Sequence, residues 1–274
     1  MSARLTRERM LDALEAQAGL VRFALAGGGD PAVVDLAAPV ASCPDWSVHD
    51  LVAHLGAVNW WGGQTVRSPD PDARAGGRRE VQDSAPPVAA GAAALADWYA
   101  AIAGEMIETF TEADPDTAVW AFTAPGRPDF WLRRQLHETA VHRWDLEHAL
   151  GGPADTTPLP EDVAADTLDE FCTAVHPRTA PTRPPLPVTI RLHAVLHAPE
   201  GLATGAEPVG ATALGSDLEW LLPGADGATE VEVTGSAETL ALLLWGRVGA
   251  DETGLEISGD RAGLDAALEA GLSV

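Results

Sequence analysis

Glu138 and His142 stand four residues apart in the stretch Trp131–Leu150, WLRRQLHETAVHRWDLEHAL. On a helix that spacing puts both side chains on one face, a turn from each other. A carboxylate oxygen and an imidazole nitrogen placed this way suit a divalent ion such as Zn²⁺, Ni²⁺ or Fe²⁺. Asp145 follows three residues later on the same side, where it can orient a ligating ring. His137 lies five residues before His142, about 140° round the helix, so this is not the His-Glu-x-x-His of zinc proteases. An ion needs at least one more donor, and His54 is the best placed. It shares a helical stripe with Leu51, Val58 and Trp61 and should point inward, whereas His49 falls on another face and is expected in solvent. Bundles build metal sites from inward side chains on facing helices. Three protein ligands leave a position for water or substrate, the mark of a catalytic site. His54, Glu138 and His142 are therefore the candidate metal ligands.

The elements that must position them read clearly. Apolar residues recur at helical spacing from Thr6 to Ala26, ending at Gly27-Gly28-Gly29. Ser47 is the expected N-cap of a second helix running to Val66, with Asp50 in its first turn. Residues 67–87, rich in Pro, Gly, Asp and Arg, are long enough to count as a mobile or functional loop rather than a tight connection. An alanine-rich helix follows from Val88 to Glu112, then the central helix from Asp129 to Leu150, stopped by Gly151-Gly152-Pro153. A shorter helix covers Glu161–Val175. Five prolines between His176 and Pro187 then predict a semi-rigid spacer. Beyond it Val188–His197, Leu218–Leu222 and Thr229–Thr234 alternate as strands. A helix around Leu240–Leu244, a short strand at Leu255–Ser258 and a helix from Asp260 to Gly271 complete the chain. The expected organisation is an all-α domain over 1–175, a proline-rich linker at 176–187 and a small α+β domain at 188–274.

Net charge is −24, from 41 acidic against 17 basic residues, and every base is arginine. So acidic a chain repels phosphate backbones, which argues against nucleic-acid binding. The absence of lysine excludes Schiff-base chemistry. Cys43 and Cys172 form neither a CxxC pair nor a disulfide framework and fit a reducing cytoplasm. No basic start followed by an apolar run suggests a signal peptide. No stretch approaches the ~20 apolar residues of a membrane span, so a cytoplasmic protein without a membrane partner is expected.

Two segments resemble the signatures of the mycothiol-dependent maleylpyruvate isomerase family, within the DinB-like superfamily of four-helix bundles. They are Cys43-Pro-Asp-Trp-Ser-Val-His-Asp-Leu-Val-Ala-His-Leu-Gly56 and His137-Glu-Thr-Ala-Val-His-Arg-Trp-Asp145. Ala241–Arg247 and Leu255–Asp260 resemble the family's C-terminal domain. The resemblance implies a DinB-like bundle whose metal, usually zinc, falls on His54, Glu138 and His142 and receives the sulfur of mycothiol or a similar thiol. A cation lowers a thiol's pKa. The thiolate then adds to an activated double bond, allows rotation and leaves (cis–trans isomerisation), or attacks an electrophile once and stays (S-transfer). Arg247, in the family's Gly-Arg, is the implied anchor for a substrate carboxylate. A cofactor thiol is attractive because Cys43, although near the second helix in sequence, has nothing obvious to activate it. Arg143 points off the ligand face and is expected to be structural, and Trp60 and Trp61 to belong to the core. The expected partners are a small-molecule substrate and a thiol cosubstrate, on a monomer or homodimer. Two alternatives remain open: a hydrolase or lyase that uses metal-bound water, and a metal-binding regulatory module without turnover.

Overall fold

Helix α1 (Arg7–Leu25) starts where the Thr6 hydroxyl accepts the Arg9 backbone N–H. This is the first element of a computed structural model that describes residues 4–29, 33–68, 70–72, 74–122, 126–152, 155–196 and 217–272. Helix α2 (Val48–Arg67) opens on a full capping box: Ser47 accepts from the Asp50 N–H, and Asp50 accepts from the Ser47 N–H. Two of the orphan donors at a helix start are thereby satisfied. Helices α3 (Arg78–Asp83), α4 (Ala92–Glu112) and α5 (Pro128–Gly151) follow. Pro128 opens α5, where its missing N–H costs nothing, and Gly152 ends it at φ 82°, a backbone that favours glycine.

Among these, α1 packs on α4 and α5, and so does α2, giving a four-helix ring in the order α1–α4–α2–α5. Its interior holds Val21, Leu25, Leu51, Leu55, Leu95 and Tyr99. Polar ties fix the ends. The Arg7 guanidinium bonds Asp129 and the carbonyls of Phe110 and Ala113, joining the ends of three helices. Arg143, fully buried, donates to Gln17 (3.0 Å), to Glu147 (2.7 Å) and to the Thr157 carbonyl. Its structural role is as expected from its place off the ligand face.

The stretch 67–87 is more ordered than its composition predicts. Its described part contains α3, and several contacts hold it to the bundle. Trp61 Nε1 donates to the Ala75 carbonyl (2.7 Å), Arg74 lies 5.0 Å above the Trp61 ring, and Gly77 rests against Trp60 where a Cβ would come within 2.8 Å. Trp61 itself belongs to an aromatic cluster with Trp120, Phe122, Phe130 and Trp131, in which Trp61 and Trp131 are buried.

The chain divides into two compact units, Thr6–Thr157 and Met1–Leu5 with Pro158–Val274. The contacts thus divide the chain ahead of position 175, the expected boundary. Helix α6 (Glu161–Glu170) falls in the second unit and packs there on α8 (Ala237–Leu244). Trp220 Nε1, on a strand of that unit, donates to Asp169 at 3.1 Å. Nor do the prolines end the helix at 175. A widened turn at Phe171–Val175 leads into α7 (His176–Thr179), with Pro177 in its first turn. There the ring needs no N–H partner, and the widened turn gives it room.

The second unit carries a four-stranded sheet, order β2-β1-β3-β4, formed by β1 (Val188–Ala194), β2 (Leu218–Leu222), β3 (Thr229–Gly235) and β4 (Glu256–Gly259). β1 and β3 run parallel, and the other pairs antiparallel. Val188, Ile190, Leu192 and Ala194 are buried on one face, which α8 and α9 (Arg261–Glu269) cover. The expected strand end His197 and the helix-stopping Pro153 lie outside the described residues. Among the described residues, no helix is long and apolar enough to cross a membrane.

Arg143→Ala should leave the sheltered Glu147 carboxylate without its guanidinium and lower stability by about 3 kcal/mol. Urea unfolding checks this, and a midpoint unchanged from the native chain would show the network to be dispensable.

Candidate metal centre

Helices α2 and α5 cross so that His54, Glu138 and His142 meet. Glu138 Oε1 lies 3.4 Å from His54 Nε2 and 3.3 Å from His142 Nε2, and one donor atom from each residue falls within 4.8 Å of the others. A four-coordinate ion with bonds of about 2.0–2.1 Å sets its donors roughly 3.3 Å apart. The two spacings to the carboxylate oxygen therefore fit, as does the mix of two imidazoles and one carboxylate. The three side chains are 11–19% exposed, sheltered yet open to a small ligand.

The surroundings hold the rings and the carboxylate in place. His142 Nδ1 faces Asp145 Oδ2 at 2.9 Å, an arrangement that keeps a proton on Nδ1 and makes Nε2 the nitrogen that an ion would take once it is deprotonated. The other Asp145 oxygen accepts from the Ser42 hydroxyl at 2.6 Å. Ser42 comes from a tight turn, closed by Val40 N–H to Trp46 O and Trp46 N–H to Cys43 O, in which Asp45 takes φ 68°. The same turn brings Cys43 Sγ to 3.9 Å from Asp145 Oδ2 and sets the Trp46 ring 4.6 Å from the His54 ring. Cys43, His142 and Asp145 form a second converging group that shares His142 with the first. On the opposite side, Arg134 Nη2 donates to Glu138 Oε2 at 2.5 Å. One turn along the bundle, Asn59 Nδ2 donates to Gln135 Oε1 (3.0 Å) and Thr139 Oγ1 (3.2 Å), bracing α2 against α5.

Burial alone would push the Glu138 carboxyl up, but the Arg134 charge and the hydrogen bonds from His142 and His54 together hold it well below its ordinary 4.5. Burial alone would likewise push His142 down. Its hydrogen bonds with Asp145, Cys43 and Glu138 outweigh that and raise it well above its ordinary 6.5. A metal ion entering this centre must displace that proton.

The structure brings together the three residues singled out from the sequence. His137 is fully buried on another face, away from them. His49, expected in solvent, is half-buried and its Nε2 lies 2.8 Å from the Pro86 carbonyl, fixing the chain ahead of α4. Arg247 sits in the second unit in the turn after α8. Its backbone N–H donates to Leu242 O (2.8 Å) and its Nη1 to Trp245 O (2.6 Å). Trp46 lies in the segment Cys43–Gly56 that carries the family resemblance, without a role assigned to it there. Ser42 and Arg134 are not among the sequence candidates, although Arg134 bears the same four-residue relation to Glu138 that Glu138 bears to His142.

Comparison with known families gives two matches, the mycothiol maleylpyruvate isomerase N-terminal domain over residues 21–147 and the C-terminal domain of the same family over 158–266. The chain belongs to the mycothiol-dependent maleylpyruvate isomerase family. Crystal structures of the mycothiol-dependent maleylpyruvate isomerase and of a histidine-to-alanine mutant of it share the fold. The first is 16% identical with a TM-score of 0.56, the second 15% with 0.57, each over 93% of both chains. Comparison with proteins of curated function gives no match. The family's two domains meet the two units found here on either side of Thr157.

The shifted groups set a pH window. The His142 contribution to stability is complete below pH 6.5 and lost as pH rises through its raised folded value. The Glu138 contribution is complete above pH 4.5 and lost as pH falls through its depressed value. In the metal-stripped chain both are complete between those values. Above pH 6.5 the Tm should fall more steeply in the native chain than in His142→Ala. Equal slopes in calorimetry would show that His142 holds no raised proton.

Proposed function

We propose that the chain catalyses cis–trans isomerisation of a small unsaturated carboxylate. It would use a low-molecular-weight thiol of the mycothiol kind and a divalent ion held by His54, Glu138 and His142. The observation that carries this reading is the convergence of two imidazole nitrogens on one carboxylate oxygen at 3.3 and 3.4 Å. Family membership supplies the reaction class. When bound, the ion supplies a thiolate at neutral pH, and the thiolate supplies reversible addition to a double bond, freeing rotation before it leaves.

The protein's own residues do the rest. Asp145, held by Ser42, keeps His142 in the tautomer that offers Nε2. The Trp46 ring forms an apolar wall beside His54, excluding water and giving flat, conjugated substrates a surface to lie on. Arg247 is the proposed anchor for the substrate carboxylate, a role suited to a guanidinium's planar fork. Zinc suits the donor set best, and nickel or iron also fit it.

Activity on a cis-unsaturated dicarboxylate should require added thiol, with the trans isomer as product and the thiol recovered unchanged. Product that retains the thiol would make the chain an S-transferase, and thiol-independent turnover would make it a hydrolase or lyase. His54→Ala should lower kcat/KM at least about 100-fold while helical content stays native. Arg247→Ala should weaken carboxylate binding by about 1.5–3 kcal/mol, a KM rise of roughly 10- to 100-fold, with metal content unchanged. A KM equal to that of the native chain would return Arg247 to a structural role.

A further inference from the structure

We propose that Arg134 is a positioning residue of the centre, which holds one oxygen of Glu138 so that the other alone faces the two histidines. The inference rests on the reading of His54, Glu138 and His142 as ion ligands. Arg134 and Glu138 stand one turn apart on α5, and Arg134 Nη2 donates to Oε2 at 2.5 Å. Oε1 is the oxygen that lies 3.3 Å from His142 and 3.4 Å from His54. The carboxylate is thus divided between two tasks.

The pair is sheltered, as the structural pair Arg143–Glu147 also is, and in this it differs from the exposed pairs Arg79–Asp83 and Arg261–Asp265. What sets it apart from Arg143–Glu147 is that its carboxylate also faces two imidazoles. Arg79–Asp83 is 79% and 58% exposed and Arg261–Asp265 is 39% and 46% exposed, whereas Arg134 and Glu138 are 13% and 18% exposed. Exposed pairs are screened by water and contribute little. A sheltered charge-assisted bond is stronger and directional, and it persists at any working pH because a guanidinium does not lose its proton.

A carboxylate with both oxygens free can grip an ion through both, filling an extra coordination position. With Oε2 held by Arg134, Glu138 would offer a bound ion one oxygen only. More of the ion's positions would be left for exogenous ligands, and the guanidinium, drawing charge from the carboxylate, would leave the ion more electrophilic. In a chain of net charge −24, Arg134 also keeps one fixed positive charge beside the centre, which favours an anionic ligand.

The experiment is Co²⁺ loading of the native chain and of Arg134→Met, Arg134→Ala and Arg134→Lys. Visible absorption is read per bound ion, after circular dichroism has shown native helicity. Met keeps the apolar stem, and Ala is the best helix former, so the test survives if one of the two fails to fold. The intensity in the Met or Ala variant should fall on the order of twofold or more as the coordination number rises, and Arg134→Lys should keep the native spectrum. A Met or Ala variant with the native spectrum at full load overturns the inference. So does a Lys variant as weak as the Met one. A native chain that takes up no Co²⁺ would instead overturn the ion-binding reading itself.

Discussion

One carboxylate oxygen, Glu138 Oε1, stands between two imidazole nitrogens that arrive from different helices. A sheltered carboxylate in that position costs several kcal/mol of lost hydration unless it is compensated on every side. The compensation here is distributed. Arg134 holds the second oxygen, the two histidines face the first, and Asp145 in turn holds His142. The surrounding bundle has to keep α2 and α5 in fixed register, because a slip of one residue would turn His54 about 100° away. The amide bridge from Asn59 to Gln135 and Thr139 supplies that register one turn away. Gly62 permits the close approach, since a Cβ there would come within 2.7 Å of Gln135.

The turn before α2 links capping to chemistry. Ser47 and Asp50 close the helix start, and the residues just ahead of them carry Ser42, Cys43 and Trp46 to the rim of the centre. The segment that begins the helix therefore also orients Asp145, and through it His142. A local signal, a Ser followed three residues later by Asp, anchors a long-range contact between residues about a hundred positions apart.

Much of this was legible from the sequence because helical periodicity is local. Glu138 and His142 follow from a four-residue spacing, and His54 from its place on an apolar stripe. The Ser47 cap and the Gly152 stop were readable for the same reason. Arg134 obeys the same spacing rule and was passed over because arginines on a helix are usually solvated. Ser42 and Trp46 depend on a turn with Asp45 at φ 68°, which no periodicity announces. Helix α3 has no buried residues, so it leaves no apolar pattern to find. The division at Thr157 leaves no local signal: the proline run is what stands out in the sequence, whereas the packing of α6 on α8 is decided by tertiary contacts.

X-ray absorption spectroscopy of the metal-loaded native chain, with and without added thiol, tests the central claim most directly. The account predicts one ion per chain with two imidazoles and a carboxylate oxygen in its shell, and a sulfur scatterer that appears when thiol is added. A shell without imidazole scattering, or one that gains no sulfur from the thiol, would contradict it.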